Sequence, residues 1–388
     1  MIMAALKNPP PKSSLLDILW DIQNKRRYIA PDDITKISNE FNLSRTELEG
    51  IISFYHFFHT QHAGQYTIYL NNTIISKNRN YKKVKKAFEK AIGVSIGNTS
   101  EDKKFGLFET SCIGLSDQET AALINFQAFT NLTPYKVKKI VMQLRSGISL
   151  NELTDLPKNN IRYTPAPDKT IFLKPYSPGS ALRKLKNLNP QDLITLVKES
   201  KLAGRGGAFF PTGMKWQFCK NNSSTQKYVI CNADEGEPGT FKDRVLMNKY
   251  PGLMLEGMAM AGYAVGANKG YIYLRAEYFY LKEKIEHKIN EFIEKGFLGK
   301  NICNIQGFDF DIQIYMGAGA YVCGEETALI SSMEGKRGEP STKEYFPVEK
   351  GLHGQPTIIN NVETLCAVPR IIEMGLEKYL KIGTEATK

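Results

Sequence analysis

The chain has 388 residues, of which 42% are hydrophobic and 23% charged, so it is long enough for two or three globular domains and is not a disordered protein. Its formal net charge is +11, and most of the surplus lies in residues 1–150, but no recognition motif accompanies it, so we do not expect a nucleic-acid partner. The six cysteines include no C-x-x-C pair, which argues against a disulfide framework or a self-contained metal site. Because no signal-peptide core or long apolar run is present, we expect a cytoplasmic protein without membrane insertion.

The first part of the chain changes from a helical to a mixed pattern. Residues 15–60 predict helices, with one apolar stripe from Leu15 to Ile22 and a capping box of Ser44 and Glu47 before a second stripe. Predicted strands follow at 66–70, 105–109 and 121–125, and predicted helices at 81–92 and after Thr133. A helical head followed by a β-α-β-β-α order is typical of a thioredoxin-like module, which we assign to residues 1–146.

Residues 147–180 are rich in proline and predict a linker. After the linker, Asn189 and Pro190 predict the start of a helix. Beyond it, strand patterns at 228–231, 271–274 and 311–316 alternate with helical patterns at 253–265, 278–295 and 326–333. Such alternation predicts a mainly parallel, Rossmann-like α/β domain, which we assign to residues 181–388.

An acidic loop follows the first of these strands, within the segment Tyr228–Arg244. Its polar side chains are those of Asn232, Asp234, Glu235 and Glu237. Carboxylates and an amide at the carboxyl end of a parallel strand suit ligand hydroxyls and ring N–H groups, such as a ribityl chain, a ribose or an isoalloxazine edge. A solvated acidic turn is the alternative.

A glycine-rich loop lies before this strand, in the segment Gly204–Trp216. Gly204, Gly206 and Gly207 allow close backbone approach to a flat or phosphorylated ligand, and Arg205 and Lys215 can neutralise phosphate. The loop follows a helix rather than a strand, so it is not the usual dinucleotide fingerprint. A flexible turn is the alternative.

A second glycine-rich segment ends in Gly324, Glu325 and Glu326, where the carboxylates open a predicted helix. These residues suit a ligand approached by backbone, and simple helix capping is the alternative.

Two later stretches carry further polar residues. Lys343 lies in a loop with Tyr345 and Phe346, where a cation and aromatic rings could clamp a stacked base and a phosphate, although a surface lysine is usually only solvated. The segment Thr357–Thr364 offers the polar side chains of Asn360, Asn361 and Thr364 to a flavin edge or phosphate. A helix cap is its alternative, because Asn361 precedes an apolar-periodic run.

Together these stretches resemble one family. The chain is similar to the NADH-binding flavoprotein subunits of respiratory complex I, and more closely to the diaphorase alpha subunits of soluble NAD-reducing [NiFe] hydrogenases. The similarity covers nearly the whole chain, and the order and spacing of its motifs carry it. They read LLDILWDIQ, SFYHFFH, IYLNNTIISKN, FGLFETSCIGLSDQE, KYVICNADEGEPGTFKDRVL, YLRAEYFYLK and GFDFDIQIYMGAGAYVCGEE.

The resemblance implies FMN in the α/β domain, NAD(H) stacked on it, and assembly with other diaphorase and hydrogenase subunits. Hydride passes directly between nicotinamide and flavin, so no general acid or nucleophile is expected. Carried over by position, FMN would contact Gly204, Arg205, Gly206, Gly207, Lys215, Asn232, Asp234, Glu235, Gly324, Glu325, Glu326, Asn360, Asn361 and Thr364. NAD would contact Phe210, Glu237 and Lys343.

The sequence also departs from the family pattern. Phe209 stands where the family's glycine-rich loop has a glycine, so we expect a clash of its ring with the flavin to weaken FMN binding. Ser341 stands where the family has an arginine, so we expect one phosphate or pairing contact to be lost. In the first module, related subunits hold a [2Fe–2S] cluster with four cysteines. Here those positions are Leu70, Ile75, Cys112 and Ser116, so we expect no iron–sulfur cluster.

Relatives continue past the position of Lys388 into a ubiquitin-like domain and a cysteine-rich domain that binds a [4Fe–4S] cluster, and this sequence does not include either one. We therefore keep two hypotheses. The first is an NADH:acceptor oxidoreductase (diaphorase) subunit, and the alternative is a redox-silent, truncated paralogue that docks to partner subunits.

Overall fold

The computed structural model describes residues 15–155, 157, 171–342 and 344–384. Residues 158–170 of the predicted linker, and the predicted site residue Lys343, lie outside this part.

The α-helices are α1 (Leu15–Arg26), α2 (Pro31–Phe41), α3 (Arg45–Phe54), α4 (Ile74–Lys77), α5 (Tyr81–Ile92), α6 (Pro134–Arg145), α7 (Leu150–Leu153), α8 (Ser180–Lys184), α9 (Pro190–Glu199), α10 (Thr212–Asn221), α11 (Lys242–Lys249), α12 (Pro251–Val265), α13 (Lys282–Glu294), α14 (Glu326–Met333), α15 (Val362–Met374) and α16 (Leu376–Leu380). The strands are β1 (Tyr66–Asn71), β2 (Asn98–Thr99), β3 (Phe105–Thr110), β4 (Ala122–Ile124), β5 (Gln127–Phe129), β6 (Tyr228–Ala233), β7 (Lys269–Leu274), β8 (Asp311–Met316) and β9 (Thr357–Asn361).

The first sheet belongs to the predicted thioredoxin-like module. Its strand order is β2-β3-β1-β4-β5, with β1 parallel to β3 and antiparallel to β4. Helices α5 and α6 bury their apolar faces in one cluster with β1, β3 and β4. The predicted β-α-β-β-α order is therefore present. The sequence did not predict β2 and β5. Strand β2 consists of two polar residues, and β5 follows β4 after only two residues, so neither shows a pattern of its own.

The second sheet has the order β8-β7-β6-β9, and all of its strand pairs are parallel. This confirms the predicted parallel α/β fold. The sequence did not identify β9 as a strand, because only five residues form it and two of them are asparagines, which are rare in strands.

Helices cover both faces of this parallel sheet. Val229 and Cys231 pack on the core formed with α9, α10, α12 and α15. The alternate residues Ile230, Tyr273 and Ile359 pack on the other face against helices α1 to α3. A parallel sheet needs apolar cover on both faces, and here the helical head supplies one of them. The amphipathic stripes predicted these helices but not what they contact, and the boundaries at 146 and 180 stay a prediction.

Polar side chains begin several helices as the sequence predicted. Ser44 Oγ accepts a hydrogen bond from the Glu47 amide at 3.1 Å, and Asn189 Oδ1 accepts one from the Asp192 amide at 2.9 Å. Every helix of the described residues is too short or too polar to cross a bilayer.

Candidate functional site

A cleft of about 330 Å³ opens at the carboxyl ends of β6 and β9. The chain runs from β6 to β7 and β8 on one side, and later returns to β9 on the other side of β6. In open parallel sheets, ligands bind outside the strand ends at such a switch point. The cleft is lined by Arg205, Gly206, Asn232, Asp234, Glu235, Gly236, Glu237, Thr240, Lys242, Asp243, Tyr321, Val322, Gly324, Glu325 and Asn361.

The sequence prediction and this lining overlap in part. Predicted residues that line the cleft are Arg205, Gly206, Asn232, Asp234, Glu235, Glu237, Gly324, Glu325 and Asn361. Predicted residues that lie outside its lining are Gly204, Gly207, Phe210, Lys215, Glu326, Asn360 and Thr364. The lining residues that the sequence did not single out are Gly236, Thr240, Lys242, Asp243, Tyr321 and Val322.

One backbone hydrogen bond and one side-chain hydrogen bond hold the glycine-rich loop in place. The Gly204 amide donates to the Phe210 carbonyl at 2.9 Å, which closes the loop on itself. The Arg205 amide donates to Thr364 Oγ1 at 2.8 Å, so Thr364 anchors the loop to α15. Gly207 has a φ of +111°, a conformation that only glycine adopts readily. These contacts present Arg205 and Gly206 to the cleft.

Three of the predicted residues support the cleft from behind. Asn360 Oδ1 accepts a hydrogen bond from the buried Trp216 indole at 2.9 Å, so this amide belongs to the core. Lys215 Nζ donates to the Ile359 carbonyl at 3.0 Å and lies 3.6 Å from the Glu326 carboxylate. They hold α10, β9 and α14 together.

The end of β6 is fixed by Asn232. Its side-chain amide donates to the Gly324 carbonyl at 2.8 Å, and its Oδ1 accepts from the Asp234 amide at 3.1 Å. Asp234 is largely buried, and Arg275 Nε lies 3.9 Å from its Oδ1. Burial raises the pKa of Asp234 to about 7, although the charge of Arg275 opposes this shift.

Glu235 is the most firmly held carboxylate of the acidic loop. It accepts hydrogen bonds from the Asp243 amide at 2.8 Å, the Arg244 amide at 3.1 Å and the Tyr278 hydroxyl at 2.8 Å. The start of α11 therefore fixes its orientation. Glu237, by contrast, is exposed and accepts a hydrogen bond from the Tyr321 hydroxyl at 2.8 Å.

Lys242 and Asp243 are the most informative residues that sequence reasoning missed. Lys242 Nζ lies 2.7 Å from Asp243 Oδ1 and 3.1 Å from both Glu363 Oε2 and Asn361 Oδ1. Burial and the nearby Glu235 carboxylate raise the pKa of Asp243 to about 7. A signal was present, because the lysine and aspartate directly follow the acidic loop and begin a helix.

Two of the predicted site residues cap a helix and also line the cleft. Glu325 accepts hydrogen bonds from the Thr327 and Ala328 amides, at 2.8 and 3.0 Å, and so caps α14. Asn361 caps α15 by accepting from the Glu363 amide at 2.9 Å. Both nevertheless line the cleft, so capping fixes these polar groups at its wall.

Exposed aromatic rings lie on the glycine-rich loop and on α10. Phe209 is 62% exposed and has a φ of +54°, while Phe210 and Phe218 are exposed with ring centroids 6.5 Å apart. Phe209 therefore takes the left-handed conformation expected where the family has a glycine. Tyr345, in the later loop, is covered by the Lys350 ammonium at 3.7 Å from the ring centroid.

Three of the first-module positions that hold a cluster in related subunits are Leu70, Cys112 and Ser116. Leu70 and Cys112 are buried, and Cys112 Sγ lies 3.7 Å from Ser116 Oγ. Cys112 Sγ also accepts a hydrogen bond from the Gly239 amide at 3.5 Å, so this corner of the module faces the acidic loop. Among the described residues no group of three or more His, Cys, Asp or Glu is arranged to hold a metal ion.

Two family models match the chain. Residues 197–370 match the Nuo51 FMN-binding domain, and residues 2–145 match the thioredoxin-like [2Fe–2S] ferredoxin. The second match favours an iron–sulfur cluster in the first module, against the expectation from its residues.

Known proteins resemble the chain over nearly its whole length or over about half of it. It is 46% identical over 384 residues to the alpha subunit of the NAD-reducing hydrogenase HoxS of Cupriavidus necator, covering 96% of this chain and 64% of that subunit. It is 54% identical over 207 residues to a subunit of the NADH-quinone oxidoreductase of Aquifex aeolicus, covering 52% of this chain and 47% of that one.

A solved structure of the same kind of hydrogenase resembles the fold of this chain. A crystal structure of NAD+-reducing [NiFe]-hydrogenase in the H2-reduced state matches with a TM-score of 0.87 at 34% identity, over 97% of this chain and 64% of that one. The present chain thus spans under two thirds of the length of the relatives that it matches. Residues 197–370 are thus similar to the Nuo51 FMN-binding domain and residues 2–145 to the thioredoxin-like [2Fe–2S] ferredoxin, and over nearly its whole length the chain is similar to the alpha subunit of the hydrogenase HoxS.

Proposed function

We propose that this chain is a diaphorase subunit that passes hydride between NAD(H) and an FMN held in the cleft, within an NAD-reducing hydrogenase or a complex I-like assembly. The observation that carries the proposal is the cleft at the switch point between β6 and β9, with its polar lining. A family-model match to an FMN-binding domain over the same residues supports it.

The chemistry of the lining fits FMN. The lining includes two cations, Arg205 on the glycine-rich loop and Lys242, which contacts Asn361 and is paired with Asp243. A Cβ placed on Gly206 would lie 3.6 Å from the Asn361 Cβ, so the loop and β9 form one wall. A cation and a glycine-rich backbone suit the phosphate of FMN.

Acidic and amide side chains line the cleft near the end of β6. Asn232, Asp234 and Glu325 present amide and carboxylate groups that suit ribityl hydroxyls and the N–H groups of the isoalloxazine ring. A bound flavin would supply the hydride-accepting ring. The residues of this chain would bind it, orient it and tune its environment.

NAD(H) is proposed to enter over the exposed rim of the cleft. Glu237 is exposed beside Tyr321, and the rings of Phe210 and Phe218 lie in the open near the glycine-rich loop. Exposed aromatic faces suit stacking on a nicotinamide or an adenine. Lys343 is also proposed to contact NAD, and this part of the proposal rests on the sequence alone.

We further propose that the first module holds no [2Fe–2S] cluster, although its family is named for one. Cys112 is the single cysteine in residues 1–146, and thiolates are the usual ligands of such clusters. The residues of this module do not fit the group. Electrons would then leave the flavin through a cluster carried elsewhere in the assembly.

Hydrogenase and diaphorase subunits are the proposed partners, because the relatives are subunits of NAD-reducing hydrogenase and NADH-quinone oxidoreductase. A cytoplasmic location is part of the same proposal. It is supported by six cysteines that are all free thiols, which suits a reducing compartment.

The experiment that tests the function is a flavin titration of the purified protein, followed by anaerobic addition of NADH. FMN should bind tightly and quench its fluorescence, and riboflavin should bind more weakly because it lacks the phosphate. The sequence departures Phe209 and Ser341 are the grounds for the docking-subunit alternative, although Phe209 lies outside the cleft lining. Absence of FMN binding would support that alternative.

A further inference from the structure

The two domains meet beneath the acidic loop of the cleft. The contacting segment of the first module is loop 112–117, which carries Cys112 and Ser116, two of the positions that hold the cluster in related subunits. Arg275 Nη2 donates to the Cys112 carbonyl at 2.8 Å, and the Gly239 amide donates to Cys112 Sγ at 3.5 Å. Loop 112–117 therefore contacts the second domain directly behind the proposed cofactor site.

Arg275 connects this loop to the acidic loop. It is 4% exposed, and its guanidinium also donates to the Glu235 carbonyl and to the Glu277 carboxylate, the latter at 2.6 Å. Its Nε lies 3.9 Å from the Asp234 carboxylate. One buried cation thus contacts the first module and the residues that line the cleft.

Arg244 makes a second connection. Its side chain is fully buried, and its Nη2 donates to Asp117 Oδ1 at 2.8 Å, while its own backbone amide donates to the Glu235 carboxylate at 3.1 Å. Within the described structure its Nε and Nη1 have no hydrogen-bond partner. The pairing of this buried charge therefore depends on Asp117, and removing one partner of a buried pair is strongly unfavourable.

We propose that loop 112–117 of the first module is a positioning element for the cofactor cleft, which holds Glu235 and Asp234 in place through Arg244 and Arg275. The inference rests on the proposed function, since the cleft that it positions is the proposed FMN site. Asp117 does not line the cleft, so it acts through Arg244 and the start of α11. A module without its cluster would thereby keep a role in flavin binding.

The test compares Asp117→Asn with Asp155→Asn. Asp155 is a matched control, because it is also a partly buried carboxylate of residues 15–155 and pairs with Lys136 Nζ at 2.5 Å, within the first part of the chain. Asp117→Asn should weaken FMN binding by about fivefold or more, while Asp155→Asn should leave it unchanged. Asp117→Glu, which keeps the charge, should recover most of the affinity. Equal affinities for both asparagine variants would overturn the proposal.

A second readout uses the protein without flavin. Amide hydrogen exchange of residues 234–244 should be faster in Asp117→Asn than in the wild type or in Asp155→Asn, because the loop loses its support. If the wild type binds no FMN, the proposed function fails, yet faster exchange would still support the positioning role. Unchanged exchange in Asp117→Asn would refute that role whether or not flavin binds.

Discussion

The side-chain amide of Asn361 donates to Asp243 Oδ2 across 2.6 Å and so joins the end of β9 to the start of α11. Asn361 Oδ1 meanwhile accepts from Lys242 Nζ and from the Glu363 amide. One asparagine therefore caps a helix, joins two elements and lines the cleft. A mutation of Asn361, compared with the same mutation at another helix cap, can separate its capping role from its contacts in the cleft.

Asn361→Ala should lower both stability and FMN affinity. Loss of a capping side chain costs about 1 kcal/mol. Loss of the contacts to Lys242 and Asp243 should weaken FMN by roughly tenfold, or ~1.4 kcal/mol. Asn189→Ala is the control, because Asn189 caps α9 in the same way but does not line the cleft. Thermal melting and flavin titration of both variants check this, and equal FMN affinities would contradict it.

Arg205→Gln should discriminate between FMN and riboflavin. A hydrogen bond to a charged group contributes about 1.5–3 kcal/mol, so loss of the guanidinium should weaken FMN by about tenfold or more. Riboflavin, which has no phosphate, should bind almost as before. Arg183→Gln removes the same charge on α8, outside the cleft, and should change neither affinity. A parallel loss of riboflavin binding would show that Arg205 does not recognise the phosphate.

The buried Asp234 should make stability fall as the pH rises. Its folded pKa, raised to about 7 mainly by burial, lies above the ordinary value of 3.8. Between these values the folded state binds more protons than the unfolded state, so the free energy of unfolding decreases with pH. Asp234→Asn should remove this part of the pH dependence. Urea unfolding of both proteins at several pH values from about 4 to 8 checks it, and parallel stability profiles would rule it out.

Phe209→Gly should stabilise the loop rather than repair the cofactor site. From the sequence, a clash between this ring and the flavin was expected to weaken FMN binding. The ring is 62% exposed, and Phe209 is outside the cleft lining, so the strain lies in its φ of +54°. Relief of that strain is worth about 1–2 kcal/mol, less the backbone entropy that glycine adds.

The neighbouring Ala208→Gly variant is the control for Phe209→Gly, because Ala208 is not among the residues with positive φ. It should lose about 0.5–1 kcal/mol from the added backbone freedom alone. The melting temperature should therefore rise in Phe209→Gly and fall in Ala208→Gly. A tenfold gain in FMN affinity by Phe209→Gly would instead show that the Phe209 ring clashes with the flavin.

Iron and acid-labile sulfide should be absent from the protein purified under anaerobic conditions. The physical reason is that hydrophobic and hydroxyl side chains replace thiolates at Leu70, Ile75 and Ser116, and only Cys112 remains. Colorimetric iron and sulfide assays, with electron paramagnetic resonance of the reduced protein, are the measurements. Near-stoichiometric iron and sulfide would contradict the proposal and favour the cluster for which the matched family is named.

Much of the fold was predictable because local signals determined it. Caps at Ser44, Thr133 and Asn189 and the alternation of strands with helices predicted the main elements of both domains. The short strands β2 and β5 and the asparagine-ended β9 were missed, because too few residues carry their pattern. The packing of the helical head on the second sheet could not be predicted either, because an apolar stripe does not specify what it contacts.

The cleft was predicted in part for similar reasons. Asn232 and Asp234 were found from their position after an apolar run, and Asn361 from its position before one. Lys242 and Asp243 were missed because their role depends on contacts with β9, which lies more than a hundred residues later. Lys215 and Asn360 were predicted as ligand contacts, but their side chains are engaged in bonds that support the cleft.

Anaerobic reduction of the FMN-loaded protein by NADH tests the central claim most directly. The account predicts that a stoichiometric amount of NADH bleaches the flavin absorbance, because hydride passes straight between nicotinamide and flavin. NADPH at the same concentration serves as the comparison for nucleotide selectivity. Tight FMN binding without any bleaching by NADH, or no FMN binding at all, would contradict the account.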